Sequence, residues 1–159
     1  MKAKIRNSSR AIIFNDNNEV LLYKFIQKSI VGEKAFWVFP GGGVEENESF
    51  EQALLRELEE ETGITKVNNF ELAWKREILL NGKKGLILSK EFYYIVDADS
   101  SQLSTENFTK VEISTFLDKK WWSIDELKQT KEPITIENVY KYLELILQGK
   151  ENLPIHIKD

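Results

Sequence analysis

Cysteine is absent from the chain, and histidine occurs once, at His156. Without thiols there are no disulfides, no thiolate nucleophiles and no cysteine-ligated zinc. A Ser-His-Asp triad would have to use His156, which we expect to be a surface residue in a mobile tail, and a histidine-based metal site lacks ligands. Catalysis by this chain would therefore depend on carboxylates, on Lys, Arg or Tyr, or on a bound metal ion.

The chain also lacks an uninterrupted apolar run of about 18 residues, so we expect no membrane span. It has no signal-peptide pattern, which favours a cytoplasmic location. The net charge of −4 provides no basic surface for a nucleic-acid polymer. The chain has 159 residues, of which 42% are hydrophobic and 30% are charged. This length and composition predict one globular domain spanning residues 1–159. The residues leave the oligomeric state open, a homodimer included.

The segment 42–64 joins glycines to a glutamate-rich stretch, GGVEENESFEQALLRELEEETGI. Ser49 with Gln52 three residues later forms a capping box, and Gly63 supplies a left-handed stop. These signals predict a helix over residues 50–62.

Three glutamates of this helix, Glu57, Glu60 and Glu61, fall on one stripe, because they are related by i,i+3 and i,i+4 steps. The apolar residues fall on the adjacent arc: Leu54, Leu55 and Leu58. Like charges at this spacing destabilise an isolated helix by about 0.2–0.5 kcal/mol per pair, so something must compensate. A solvated acidic face would explain the glutamates alone. Joined to the upstream glycines they predict a bound cation, and carboxylate oxygens suit Mg²⁺ or Mn²⁺ better than zinc or copper.

Pro40 and three glycines, residues 41–43, precede this helix. Residues without a Cβ let the backbone turn sharply and come close to a metal or a phosphate, although a glycine run is often a plain turn. Together with the glutamates, the run predicts a metal-bound phosphate ester as the ligand.

The whole segment fits the pattern Gly-x5-Glu-x7-Arg-Glu-apolar-x-Glu-Glu-x-Gly-apolar, and it resembles the Nudix box. The matching residues are Gly42, Glu48, Arg56, Glu57, Leu58, Glu60, Glu61, Gly63 and Ile64. The resemblance implies an α/β (α+β) fold, the Nudix-type α/β/α sandwich around a mixed β-sheet. It also implies hydrolysis of a nucleoside diphosphate linked to another moiety, with Glu48 anchoring the loop to the helix.

The resemblance also implies roles for the box residues. By position, Glu57 and Glu61 would be the principal Mg²⁺ ligands, with Glu60 as the third carboxylate and the Gly41 carbonyl as a further ligand. Mn²⁺ is a possible substitute for Mg²⁺. Arg56 would hold the glutamates in place by ion pairing.

Many members of the family use another acidic residue, after the box, as a metal ligand or water activator. The candidates in this chain are Glu106, Glu112 and Asp118. We predict Glu112 in this role, with Asp118 as the alternative. If neither serves, the base would lie within the box, at Glu60 or Glu57.

Outside the box, β-branched and aromatic runs predict two hairpins and a further strand. The predicted strands are residues 9–15, 19–25, 36–39, 69–80 and 86–96. Residues 97–107 predict a loop. A short capped helix is expected after Trp121-Trp122, and a last helix over 136–148.

Substrate contacts are the least defined part of the sequence. We predict Arg10 and Lys24 as phosphate contacts and Trp37 as a stacking residue, although surface charge and core packing would explain the same residues. The other aromatic candidates for stacking on a base are Tyr23, Phe25, Tyr93 and Tyr94.

The leading hypothesis is a Mg²⁺-dependent pyrophosphohydrolase acting on ordinary or oxidised nucleoside triphosphates. Nucleotide sugars, dinucleoside polyphosphates and ADP-ribose are second candidates. A Nudix-fold ligand sensor is a rival from another class, which the intact box glutamates argue against. An isomerase of the same fold would need reactive residues, often cysteine, that this chain lacks.

Overall fold

The structure is a computed structural model that describes residues 2–29, 32–104 and 108–158. The strands are β1 (Lys4–Ile12), β2 (Val20–Ser29), β3 (Gly32–Val38), β4 (Gly41–Gly43), β5 (Val67–Gly82), β6 (Gly85–Ala98), β7 (Phe116–Trp122) and β8 (Ile155–Ile157). The helices are α1 (Phe50–Thr62), α2 (Lys110–Thr115), α3 (Ile124–Gln129) and α4 (Val139–Gln148), with a 3-10 turn at Ser100–Gln102.

The strands form a five-stranded sheet in the order β4-β1-β6-β5-β8 and a three-stranded sheet in the order β3-β2-β7. In the larger sheet β1 runs parallel to β6 and β5 parallel to β8, whereas the β1–β4 and β5–β6 pairs are antiparallel. The predicted mixed sheet and α+β class are therefore confirmed. The predicted hairpin of residues 69–80 and 86–96 is also confirmed, as the long β5–β6 pair.

The other predicted hairpin, of residues 9–15 and 19–25, is wrong in its pairing. A turn is present, because the Asn15 amide donates to the Glu19 carbonyl at 3.0 Å. The two strands nevertheless enter different sheets, and among the described residues their backbones pair at the bridge Phe14–Val20, where the Leu21 amide donates to the Ile13 carbonyl at 3.1 Å. The reason is that both edges of each strand are already paired: β1 lies between β4 and β6, and β2 lies between β3 and β7.

Alternating side chains of these strands build two cores. The α1 core contains Leu54 and Leu58 of α1 with Ala11, Ile13, Leu21, Tyr23, Val38, Ile64, Tyr94, Val96 and Phe108. The α4 core contains Val139, Leu143 and Ile146 of α4 with Ile12, Val20, Leu22, Trp37, Phe39, Ala73, Trp74, Tyr93, Trp122, Leu127, Ile136 and Ile157. Helices thus cover both sides of the strands, as the predicted sandwich requires.

Helix α1 begins and ends where its capping signals predict. Ser49 accepts from the Gln52 amide, the Gln52 side chain accepts from the Ser49 amide, and Gly63 adopts the left-handed conformation with φ 79°. Leu54 and Leu58 are fully buried, whereas Leu55 is 41% exposed and so lies off the predicted apolar arc.

The last part of the chain differs from the sequence prediction in two respects. Helix α4 begins at Val139, three residues after the predicted start. His156 does not lie in a mobile tail: it is an exposed residue of β8, which pairs with Lys75 of β5. Within the described ranges, helices long and apolar enough to cross a membrane are absent.

Candidate metal and nucleotide site

Three carboxylates meet at the inner face of α1. Glu57 and Glu61 lie one turn apart on this helix, and Glu112 comes from the first turn of α2. One carboxylate oxygen from each lies within 4.8 Å of the other two. We call Glu57, Glu61 and Glu112 the acidic cluster.

Burial makes charge unfavourable within the acidic cluster. Glu61 is 3% exposed, and burial raises its pKa well above the ordinary value, with a further rise from its hydrogen bond to Glu112. Burial also raises the pKa of Glu57, while the neighbouring Arg56 acts in the opposite direction. Arg10 favours the ionised form of Glu61 by its charge. A cluster of this kind suits a divalent cation, because the charge of a bound cation would allow all three carboxyl groups to be ionised at the same time.

The glycine run brings the backbone against this cluster. Gly41 has φ 147°, and a Cβ there would overlap the Ser9 carbonyl oxygen. A Cβ on Gly42 would lie 2.5 Å from the Glu57 Cδ. The Gly41 amide donates to Glu61 Oε1 at 3.4 Å, and its carbonyl accepts from Arg10 Nη1 at 3.3 Å. Side chains are therefore excluded at the two positions where the loop passes the glutamates.

Arg56 fixes the outer side of the box. Its Nε and Nη2 donate to the two oxygens of Glu48 at 2.7 and 2.9 Å, and Nη1 donates to Glu57 Oε1 at 2.8 Å. Nη2 also donates to the Gly43 carbonyl at 2.8 Å. The bond to Arg56 lowers the pKa of Glu48 to about 2. Arg56 thus ties the glycine loop to α1 and orients Glu57.

Glu60, predicted as the third carboxylate, lies at the rim of the site. Its side chain is 35% exposed, and its Oε2 is 3.4 Å from Arg56 Nη1. It lines the same cavity as the acidic cluster but is not part of the three-carboxylate group. The structure places Glu112 there instead, because α2 packs beside β2 and turns its first residues towards α1.

Glu112 is held by its own helix terminus. Thr109 is the N-cap of α2, and the Thr109 amide donates to Glu112 Oε1 at 2.9 Å in a capping box. Asp118 lies in β7 opposite Lys24 and is exposed, away from the cluster. Helix α2 ends at Thr115, so the two acids do not share a helix. Glu106 lies outside the described residues.

A cavity of about 290 Å³ opens above the acidic cluster. Arg6 and Arg10 of β1, with Phe25 and Gln27 of β2, line it opposite the box glutamates. Arg10 was predicted to contact substrate and Phe25 was an aromatic candidate, whereas Arg6 and Gln27 were not predicted. Arg6 lies four residues before Arg10 in β1, and Gln27 lies two residues after Phe25 in β2. Alternate residues of a strand share one face, so both would have been predicted if β1 and β2 had been predicted at full length.

Lys24 and Trp37, predicted to contact substrate, do not line this cavity. Trp37 is 3% exposed in the α4 core, and its Nε1 donates to Glu132 Oε1 at 3.2 Å. Lys24 Nζ pairs with the same oxygen at 3.1 Å. The prediction for these two residues is therefore not supported by their placement, because alternation along β2 and β3 turns both away from the acidic cluster. The tyrosine candidates are buried too: Tyr23, Tyr93 and Tyr94.

The fold and the box define a protein of the Nudix class. The family model described as the NUDIX domain matches residues 4–143, and the chain belongs to this family. An 8-oxo-dGTP diphosphatase from Proteus vulgaris is 45% identical over 64 residues, which cover 40% of this chain and 55% of that protein. An RNA pyrophosphohydrolase from Pelagibacter ubique is 41% identical over 63 residues, 40% of this chain and 37% of that protein. The matches thus span about half or less of these curated relatives.

Solved structures resemble the chain over most of its length. A MutT NUDIX hydrolase from Burkholderia pseudomallei has a TM-score of 0.65 and 25% identity, covering 89% of this chain and 97% of that one. A MutT structure from work on Aliivibrio salmonicida and Vibrio cholerae has a TM-score of 0.59 and 28% identity, covering 90% and 99%. The likeness therefore extends well beyond the box.

Proposed function

We propose that this protein is a divalent-cation-dependent pyrophosphohydrolase that cleaves a nucleoside diphosphate linked to another moiety. The observation that carries the proposal is the acidic cluster: three carboxylates from two helices, two of them with pKa values raised by burial, at the floor of a cavity lined by arginines. Such a group is costly to a protein that binds no cation there.

Glu57, Glu61 and Glu112 would hold Mg²⁺, with Mn²⁺ as a substitute, and the Gly41 carbonyl would add a backbone oxygen. This donor set fits hard cations that prefer oxygen ligands. The Gly41 carbonyl accepts a long hydrogen bond from Arg10 Nη1 at 3.3 Å, and a carbonyl oxygen has two lone pairs. The cation would neutralise charge on the diphosphate and polarise the attacked phosphorus.

The chain's own residues would do the rest. Glu112 would take the proton of the attacking water, because its carboxyl group reaches the cluster from α2 while Oε1 is fixed by the Thr109 amide. Glu60, at the rim, is the alternative proton acceptor. Arg56 would keep Glu57 oriented through its bond of 2.8 Å. Arg10 and the more exposed Arg6 would contact the phosphates from the opposite wall.

We favour nucleoside triphosphates as substrates, oxidised ones included, because a protein named 8-oxo-dGTP diphosphatase is 45% identical to this chain over 64 residues. RNA is a second candidate, because proteins named RNA pyrophosphohydrolase are 41% identical over 63 residues and 46% identical over 57 residues. The net charge of −4 argues against a long polynucleotide. Nucleotide sugars, dinucleoside polyphosphates and ADP-ribose complete the set of candidates.

A phosphate and pyrophosphate release assay over these compounds tests the proposal. The parent protein would be dialysed against EDTA and assayed with Mg²⁺, with Mn²⁺ and without either, beside Glu57→Gln purified in parallel to detect a contaminating hydrolase. We expect turnover only with added cation, and one compound far above the others. Full activity in excess EDTA, or equal activity in Glu57→Gln, would refute the proposal.

A further inference from the structure

Tyr23 of β2 carries a hydroxyl group that its surroundings leave unused. The side chain is 0% exposed, and its oxygen has no hydrogen-bond partner among the described residues. A buried hydroxyl without a partner costs free energy, so such groups are rare in native proteins and call for an explanation. Phenylalanine would fill the same space without that cost.

The ring of Tyr23 packs β2 against α2, the helix that carries Glu112. Its centroid lies 6.4 Å from that of Phe108, which precedes α2, and 5.9 Å from that of Phe116, which follows α2. The Phe25 ring stacks at 6.3 Å on the same face of β2 and lines the cavity. The Tyr23 ring is therefore packed against aromatic residues at both ends of α2, the helix that carries Glu112.

The charges that act on the Tyr23 hydroxyl are those of Glu61, first, and Glu112. Burial, together with these carboxylates, raises the pKa of the Tyr23 hydroxyl, so that it keeps its proton and remains a donor. Glu61 and Glu112 come from different helices, α1 and α2, and the charges of both carboxylates reach the Tyr23 hydroxyl.

We propose that Tyr23 is a positioning residue of the acidic cluster, whose hydroxyl donates a hydrogen bond to the Glu61 carboxylate when the cluster binds its divalent cation. This inference rests on the proposed function, because it takes the cluster to be a cation site. Groups that hydrogen-bond to metal ligands typically change metal affinity or activity by about 10- to 100-fold when they are removed. The hydroxyl would be neutral or costly in the metal-free protein and favourable in the loaded one.

The test is a pair of matched substitutions, Tyr23→Phe and Tyr93→Phe, each removing one oxygen from a buried tyrosine. Tyr93 is 2% exposed in the α4 core, and its hydroxyl donates to Glu91 Oε1 at 3.1 Å. Binding of Mn²⁺ alone would be measured by electron paramagnetic resonance of the free ion. Thermal melts in EDTA would report the stability of the metal-free proteins.

We expect Tyr23→Phe to bind Mn²⁺ about tenfold more weakly than the parent while its melting temperature in EDTA is unchanged or higher. Tyr93→Phe should show the reverse, with unchanged Mn²⁺ affinity and a lower melting temperature. Parent-like Mn²⁺ binding in Tyr23→Phe would overturn the inference. So would a loss of stability in EDTA as large as that of Tyr93→Phe, because the hydroxyl would then have a partner without a cation.

Glu61→Gln separates this inference from the proposed function. If the parent binds Mn²⁺ and Glu61→Gln does not, the acidic cluster is the cation site, and the Tyr23→Phe result decides the role of the hydroxyl alone. If the parent fails to bind Mn²⁺, or if Glu61→Gln binds it equally, the proposed function and the role of Tyr23 are refuted together.

Discussion

Buried charged groups are arranged differently on the two sides of the strands: as an ion pair on the α4 side and as clustered carboxylates on the α1 side. On the α4 side, Arg76 is 7% exposed, and its Nη1 pairs with Glu91 Oε1 at 3.0 Å while Nη2 donates to the Thr135 carbonyl at 3.0 Å. Tyr93 adds a donor to the same oxygen of Glu91. On the α1 side, Glu57, Glu61 and Glu112 are instead gathered against one another.

The difference distinguishes a structural ion pair from the proposed cation site. A buried charge with its opposite partner and hydrogen bonds is satisfied by the protein itself. Like charges brought together in a cavity are satisfied only by something from outside. Removing one member should therefore cost stability on the α4 side and activity on the α1 side.

The largest expected effect concerns turnover on the α1 side. Glu57→Gln and Glu61→Gln should each lower turnover by at least about 100-fold with the fold retained, because each removes a carboxylate that would hold the cation. Glu59→Gln, on the exposed face of α1, should stay close to the parent. Steady-state rates at saturating Mg²⁺ and circular dichroism decide it. Equal losses at all three positions would mean that the site does not lie on this face of α1.

The α4 side offers the converse test. Arg76→Met should lower the free energy of unfolding by about 3 kcal/mol, because it leaves Glu91 without its buried partner. Turnover of the folded protein at low temperature should be unchanged. Lys90→Met breaks the exposed Lys90–Glu77 pair on the same two strands and should change stability by less than about 0.5 kcal/mol. Urea unfolding measures both variants, and a silent Arg76→Met would show that the α4-side pair is dispensable.

The choice of the distal acid sharpens the comparison. Glu112→Gln should lower turnover by at least about tenfold, since it removes a carboxylate of the acidic cluster, and Asp118→Asn should leave it near the parent value. The measurement is turnover at saturating Mg²⁺. A silent Glu112 with an impaired Asp118 would transfer the role, whereas two silent variants would place the base at Glu60 or Glu57.

The smallest effect is on metal-free stability. The pKa of Glu61 in the folded protein lies above its unfolded value of about 4.3. The contribution of protonated Glu61 to folding stability is therefore fully present below about pH 4.3 and is lost as the pH rises through the folded-state pKa. In EDTA the parent should therefore lose stability above about pH 4.5. Glu61→Gln should lack this loss and be at least as stable near neutral pH. Melts from pH 4 to 8 test it, and a strongly destabilised variant would identify Glu61 as a structural partner.

The sequence predicted correctly those elements whose ends depend on residues close by in the chain. The box helix was predicted over 50–62 and observed there, since its Ser49 cap and its Gly63 stop act within a few residues of the helix ends. The β5–β6 hairpin was predicted for the same reason. The partners of β1 and β2 were not, because edge occupancy depends on strands far along the chain.

The site divides in the same way. The i,i+4 spacing of Glu57 and Glu61, the glycines before them and Arg56 are local to one segment, so the sequence by itself determined two of the three residues of the acidic cluster, and the family. Which residue completes it was decided by tertiary structure: Glu112 was favoured by family spacing, but only the packing of α2 beside β2 brings it to Glu61. Tertiary packing also buries Trp37 in the α4 core, pairs Lys24 with Glu132 and packs Tyr23 against Phe108 and Phe116. Contacts of this kind join residues distant in sequence, and their geometry depends on how the layers pack rather than on any local pattern.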